Sequence, residues 1–431
     1  MDPVDLPLPV VRRPQEQPDA RALERDLRSR VDGEVRFDAG TRATYSTDAS
    51  NYRQVPIGVV LPRSVDAAQA AVAVCREHGA PLLSRGGGTS LAGECCNTAV
   101  VLDWTKYCNR LVSVDPRTRR CVVEPGIVLD DLNRQLAEYG LMYGPKPATH
   151  PNCTIGGMIG NNSCGSTAQA YGKVVDNLYR LEVLTYDGVR MWVGRTDDGE
   201  LRRIAESGGR TAELYRGMTA LRDRYAGLVR ERYPDIPRRV SGYNLDSLLP
   251  EHGFDVAGLL TGSESTLVTV LHAELELVPV PRHSALVVLG YEDICQAADH
   301  VPAVLRHEPA ALEGVDHQLI HFQQEKHLNP DALKELPNGR AYLMVQLNGD
   351  TREEVDNRAK ALIDAKPEDV DPTGMANPPE PGQPWWSSEW GRVVVAVGSP
   401  LLLFAAPSGG GGVAVGTSVT VGGMVLYELA A

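Results

Sequence analysis

Cys-x-x-Cys pairs, a basic excess and an apolar leader are all missing from this 431-residue sequence, and each absence closes off a class of protein. The eight cysteines stand at 75, 95, 96, 108, 121, 153, 164 and 295, so zinc-ribbon and ferredoxin-type spacings do not occur. Lys and Arg number 43 against 56 Asp and Glu, a formal net charge of −13 that opposes a phosphate backbone and argues against a nucleic-acid partner. Residues 1–17 are proline-rich and acidic rather than basic then apolar, so no signal peptide is expected. Reduced thiols in the cytoplasm, or at most at the inner face of the membrane, follow as the expectation. No charged residue occurs from Val393 to Tyr427, yet Pro400, Pro407 and Gly409–Gly412 cut that stretch into halves shorter than the ~20 residues of a spanning helix.

What is present suits a soluble enzyme of two or three domains, with 42% hydrophobic and 23% charged residues. Leu23 and Leu27 predict a helix over Ala20–Val31 behind a loose arm. Val59–Leu61 reads as a strand, Ser64 as the cap of a helix whose buried face is Val65, Ala68, Val72 and Cys75, and Gly79 as its close. A further strand over Pro81–Ser84 runs into a glycine loop. Later come a strand over Cys121–Glu124, helices over Leu129–Tyr139 and Thr211–Glu231, and an alternating strand over Val268–Val278. From Ser284 the pattern restarts as strand Ala285–Gly290, helix Ile294–His307 and strand Ala341–Leu347, a second α+β unit. After about Ala365 only proline, glycine and short apolar runs without period remain.

The strongest chemical signal is the run Ser84-Arg85-Gly86-Gly87-Gly88-Thr89-Ser90-Leu91-Ala92-Gly93. Consecutive glycines let a backbone approach an anion and turn successive N–H groups inward, Thr89 and Ser90 add hydroxyls, and Arg85 could add positive charge. The dinucleotide fingerprint fails at Leu91, and the P-loop fails at Glu94 and Cys95. A second block, Pro147 to Gly165, combines small residues, asparagines and hydroxyls suited to packing on a flat ligand. A third, Thr261-Gly262-Ser263-Glu264-Ser265-Thr266-Leu267, is weak alone.

In this order and at these spacings, the three blocks resemble the FAD domain of the vanillyl-alcohol oxidase and p-cresol methylhydroxylase superfamily, in its glycolate, D-lactate and D-2-hydroxyglutarate dehydrogenase branch. Tyr171–Asn177 and Ser241–Leu245 fit the same branch, and the resemblance covers roughly residues 35 to 360. It implies an α+β fold with an N-terminal arm and helix (1–34), an FAD-binding domain of two α+β subdomains (35–282), a partial substrate domain (283–365) and an aperiodic tail (366–431). It implies that Arg85, Gly86, Gly87, Gly88, Thr89, Ser90 and Gly93 hold the FAD pyrophosphate. Pro147, Thr149, Thr154, Gly156, Gly157, Asn162 and Gly165 would line the flavin and ribityl chain, and Gly262, Glu264 and Val270 would close the adenine or ribityl side. No histidine stands in the glycine loop, so the FAD is expected to be noncovalent, with His150 and Cys153 in packing or hydrogen-bonding roles. The implied activity is oxidation of a small 2-hydroxy acid by hydride transfer to flavin N5, with quinone, an iron–sulfur protein or oxygen as electron acceptor. The alternative is a flavin-binding fragment without turnover.

Departures from the branch are also legible. Ser265 and Val268 stand where the branch usually has glycine, which implies a less free backbone there. Its C-terminal histidine-rich metal and substrate segment is missing, so the tail reads as a truncated or out-of-frame ending and no catalytic base can be named. His317, His321 and Glu325 have helical spacing, but the interleaved glutamines favour a solvated face over a metal site.

Overall fold

The computed structural model describes residues 18–328, 330–334 and 336–365, together with the backbone of 393–397 and 402–405. The arm over 1–17 and the rest of the tail lie outside the described residues.

The chain first builds a four-stranded sheet from β1 (Gly33–Arg36), β2 (Gly58–Pro62), β3 (Leu82–Arg85) and β4 (Val100–Asp103), in spatial order β1-β2-β4-β3. β4 runs parallel to both β2 and β3, and every residue of β2 and β4 is buried, which is why these strands read as unbroken apolar runs. The helices Ala20–Arg30 and Val65–Glu77 cover one face through Leu23, Leu27, Ala68, Ala71 and Val72. Ser64 accepts from Ala67 N–H as the expected cap, and Gly79 follows at φ +62°.

A five-stranded antiparallel sheet follows, of β5 (Leu111–Asp115), β6 (Arg120–Val123), β8 (Leu178–Leu184), β9 (Arg190–Gly194) and β10 (Thr269–Glu276), in order β5-β6-β10-β8-β9. A two-residue strand β7 (Leu141–Met142) pairs with β11 (Val278–Pro279) beside it. In β10, Thr269, Leu271, Ala273 and Leu275 are buried, the alternation expected of a half-solvated strand. The helices Leu129–Leu136, Ile155–Asn161 and Val256–Leu260 supply the opposing core. Chain reversal thus brings the segment after residue 260 back beside the glycine loop.

The second unit is an antiparallel sheet of β12 (His283–Tyr291), β13 (Ala311–Asp316), β14 (Ala341–Gly349), β15 (Val393–Val397) and β16 (Leu402–Ala405), in order β13-β14-β12-β15-β16. The helices Ile294–Leu305 and Arg352–Ile363 pack on one face, and His317–Glu325 on the other. Within the tail that reads as aperiodic, β15 pairs with β12 along Val393–Val397. The sequences of β15 and β16, Val-Val-Val-Ala-Val and Leu-Leu-Phe-Ala, are apolar at every position, so they carry no alternation to read. Among the described residues no helix is long and apolar enough to cross a membrane.

Candidate cofactor site

The three sequence blocks meet. β3 delivers the glycine loop, and a β-carbon on Gly86 would lie 2.0 Å from Thr154 Oγ1, while one on Gly87 would lie 2.1 Å from Asn152 O. Only glycine lets the first block rest on the second. The third block joins at the base, where Ser265 Oγ accepts from Ser84 N–H at 3.2 Å, Glu264 N–H donates to Gly160 O at 3.0 Å and Gly262 N–H to Ile159 O at 2.9 Å. Within the second block Gly165 is pressed on Lys146, whose carbonyl oxygen would be 1.9 Å from an added β-carbon, and Gly156 N–H donates to Pro125 O. Thr154, 1% exposed, caps the short helix through Gly157 N–H. Pro147 is buried, Thr149 half-buried, and Gly157 exposed toward the loop. Val270 stands apart from this junction, half-buried on β10 opposite Val183.

Two buried polar atoms here have no protein partner, Ser84 Oγ and Asn162 Nδ2. Asn162 is 1% exposed, lies at φ +49°, and spends its Oδ1 on Val175 N–H at 3.1 Å. A buried amide donor without an acceptor is costly unless a ligand supplies one. The cradle and these orphan atoms therefore fit a flat, polar-edged cofactor.

The side chains of the glycine loop behave differently from expectation. Arg85 does not turn its charge outward: Nη1 donates to Tyr45 O (3.2 Å) and Cys95 O (2.9 Å), and Nη2 to Thr47 O (2.7 Å). It braces the loop from within, beneath Gly88. The Ser90 hydroxyl donates to the Glu94 carboxylate and accepts from Ala92 N–H and Glu94 N–H. Thr89 is half-buried, and Gly88 and Gly93 take φ of +65° and +85°. The loop therefore presents backbone amides rather than cations. Ser265, where a less free backbone was expected, still adopts φ +64°, after Glu264 at +51°. Its bond to Ser84 offsets that strain.

His150 Nδ1 bonds the Asp130 carboxylate at 2.8 Å, and burial pushes the Cys153 thiol up to about 12, so neither is an available nucleophile. None of the eight cysteines is in a disulfide. His317 meets Arg340 at 3.3 Å and His321 pairs with Glu325 at 3.4 Å in the open. Among the described residues no group of His, Cys, Asp and Glu is placed to hold a metal ion.

The segment Arg238–Asn244 lies over the site, a role that spacing alone does not reveal. Arg238 donates to Gly165 O at 3.1 Å, Tyr243 Oη meets Thr266 Oγ1 at 2.8 Å, and Asn244 Nδ2 donates to Gly258 O and Thr261 O. A cleft of about 800 Å³ opens beyond it, lined by Lys173, Arg230, Arg239 and Glu251. Those cations pair with Asp176, Glu251 and Asp246.

A glycine cradle joined to a sheet-capped second unit defines a two-domain flavoprotein. Residues 56–194 match the FAD binding domain family, and residues 280–388 the C-terminal domain of FAD linked oxidases. The chain belongs to the FAD-linked oxidase family, and FAD is the cofactor of its first domain. It is similar to D-2-hydroxyglutarate dehydrogenase of Pseudomonas putida, at 30% identity over 67% of this chain and 29% of that protein. It is also similar to glycolate oxidase subunit GlcD of Bacillus subtilis (30% identity, 66% and 52%) and to the mitochondrial D-lactate dehydrogenase [cytochrome] 1 of Saccharomyces cerevisiae (25% identity, 62% and 37%). The chain thus spans about a third of the D-2-hydroxyglutarate dehydrogenases' length and about half of the glycolate oxidase subunits'. A solved alkyldihydroxyacetonephosphate synthase shares the fold, with a TM-score of 0.56 at 16% identity over 82% of this chain and 60% of that one.

Proposed function

We propose that this protein oxidises a small 2-hydroxy acid of the D-2-hydroxyglutarate, glycolate or D-lactate class. The observation that carries the reading is the junction of the three blocks, with Ser84 Oγ and Asn162 Nδ2 left without protein partners inside it. The amides of Gly86–Gly93 hold the FAD diphosphate, and Thr154, Asn162 and Gly165 bound the flavin side. When bound, FAD supplies the hydride acceptor, N5. The protein's part is to orient: Arg85 fixes the loop from inside, and Arg238–Asn244 shields the junction from water. Substrate enters at the seam where the helix Ala168–Tyr171 lies against β13, so the β12–β14 sheet covers it. Reoxidation falls to an external acceptor, a quinone, an iron–sulfur protein or oxygen, in the cytoplasm or at the inner face of the membrane.

The visible spectrum of the purified protein, before and after anaerobic addition of D-2-hydroxyglutarate, glycolate and D-lactate, tests this. Flavin bands that bleach with one acid support both cofactor and reaction. Bands that never bleach favour the second reading, a flavin-binding protein without turnover. A protein that takes up no FAD on reconstitution refutes both.

A further inference from the structure

Arg238 and Arg239 are adjacent and meet opposite fates. Arg239 pairs with Asp246 at 2.5 Å and donates to Asn244 Oδ1 at 3.3 Å. Arg238 is half-buried, donates through Nη2 to Gly165 O at 3.1 Å, and pairs with no carboxylate among the described residues. The other cations around the junction are either tied to protein groups or open to water. Arg85 is spent on three carbonyls, and Lys173 is held by Pro237 O and by Asp176, both at 3.1 Å. Lys146, beside the same Gly165, and Arg53, bridged to Thr47, are exposed, as are the carboxylates of Asp235 and Glu264. A half-buried guanidinium without a counter-ion is costly unless a ligand brings the negative charge.

Its place in the junction narrows the choice of ligand. Thr154 packs on Gly86 at the start of the helix Ile155–Asn161, whereas Gly165 lies past the end of that helix, against Lys146 O and Pro147 N. Gly165 O also accepts from Ala168 N–H at 2.9 Å, so the carbonyl that seats Arg238 is fixed by the backbone. From Arg238 the chain continues along this end, passing Gly262 with Val240 O and Gly242 O before Tyr243 Oη meets Thr266 Oγ1 at 2.8 Å. Arg238 therefore stands at the far end of the second block from the glycine loop.

We infer that Arg238 supplies the positive charge that makes this protein hold reduced FAD more tightly than oxidised FAD. This rests on reading Gly165 as part of the flavin wall. A hydride, one proton with two electrons, adds one negative charge to the ring system, and no bond to the protein forms or breaks. A cation beside the ring lowers the energy of that charged state and leaves the uncharged oxidised ring nearly unaffected. An opposite charge at short range shifts such an equilibrium by about ten- to a thousandfold.

The test is the midpoint potential of FAD bound to the full chain, read against a reference dye during anaerobic reduction with dithionite at neutral pH. Wild type is compared with Arg238→Gln, Arg238→Lys and Lys146→Gln. Arg238→Gln can still donate to Gly165 O but carries no charge. It should lose at least about tenfold of the preference for reduced FAD, a fall of about 30 mV for a two-electron couple. Arg238→Lys keeps the charge and should stay within about threefold of wild type. Lys146→Gln removes a charge that water and salt screen, and should stay within about twofold. Melting of the FAD-stripped variants checks their folds. A wild-type potential in Arg238→Gln overturns the assignment, even where hydroxy-acid binding suffers. An equal fall in Arg238→Lys overturns it by tracing the effect to the Gly165 bond, and an equal fall in Lys146→Gln by making the field a diffuse one. A wild type that takes up no FAD overturns the reading of the site itself.

Discussion

Gly87→Ala puts the contact between the first two blocks to a direct test. The added β-carbon would stand 2.1 Å from Asn152 O and 3.0 Å from its carbonyl carbon, both backbone atoms without a rotamer to change. Comfortable contact needs roughly 3.5 Å, so one chain segment must retreat by more than an ångström. Overpacking of this kind costs about 1–3 kcal/mol. Gly87 is exposed, and its clash lies between the loop and block two rather than in the core. The strain therefore falls on the cradle and spares the fold. At about 1.4 kcal/mol per factor of ten, FAD should bind on the order of 10- to 100-fold more weakly.

Fluorescence titration gives the Kd directly, and thermal unfolding with and without FAD gives an independent measure. Ligand at a hundredfold excess over the wild-type Kd stabilises by about 2.7 kcal/mol, and at the same FAD concentration this should fall to about 1.4 kcal/mol for a tenfold weaker Kd and about 0.4 kcal/mol for a hundredfold weaker one in Gly87→Ala, with a correspondingly smaller FAD-induced rise in Tm. The control is Gly217→Ala in the helix Gly209–Arg232, where nothing lies within 4 Å of the added carbon. It should gain about 0.5–1 kcal/mol and leave the FAD Kd unchanged. Wild-type affinity in Gly87→Ala would show that the blocks do not jointly form the cofactor's seat.

Ser84→Ala removes a buried hydroxyl that has no protein partner, so the stripped protein should melt at or slightly above the wild-type temperature while its FAD affinity falls about fivefold. Equal losses of stability and affinity in that variant would count against a ligand role. Arg85→Met abolishes three bonds to the carbonyls of Tyr45, Thr47 and Cys95 and should cost about 2 kcal/mol in stripped protein, measured by urea unfolding, with FAD binding lost as well. An effect on FAD alone would return its charge to the phosphate. Burial raises the thiols of Cys75, Cys108, Cys121 and Cys153 to about 12, so these stay protonated in the fold but ionise near their ordinary value once unfolded. Their contribution to stability is complete below that ordinary value and is lost as pH rises toward 12, by up to about 1.4 kcal/mol per thiol per pH unit. Alkaline melting curves should show that decline above about pH 9. A thiol reagent at pH 8 should modify exposed Cys295 at once and those four only on unfolding.

Local rules made much of the first unit readable. Ser64 and Gly79 bracket the helix Val65–Glu77 because one hydroxyl and one positive φ meet needs that any helix end has. The alternation of β10 was legible because one of its faces is half-solvated. β15 and β16 were not, since wholly apolar runs leave periodicity nothing to register. Within the site, sequence named the glycines whose close contacts join the blocks, but not the partners that the side chains take up. Ser90 and Arg85 looked like ligand groups by type, yet each found a partner inside the protein that sequence cannot show. Ser84 opens the glycine run but its hydroxyl was not read as a ligand group, because an unsatisfied hydroxyl differs from a satisfied one only in its surroundings.

Those reassignments bear on how this chain can hold an anion. The net charge is −13, the loop arginine faces inward, and the Glu94 carboxylate is folded onto the loop through Ser90. Attraction by side-chain charge is therefore weak, and the favourable terms left are oriented N–H dipoles, close approach through Gly86 and Gly87, and the unmet donors of Ser84 and Asn162. All three act only at contact distance. Such a site gains little from long-range steering and much from fit, so a change of about an ångström at Gly87 should weaken FAD binding more than removal of any single exposed lysine or arginine.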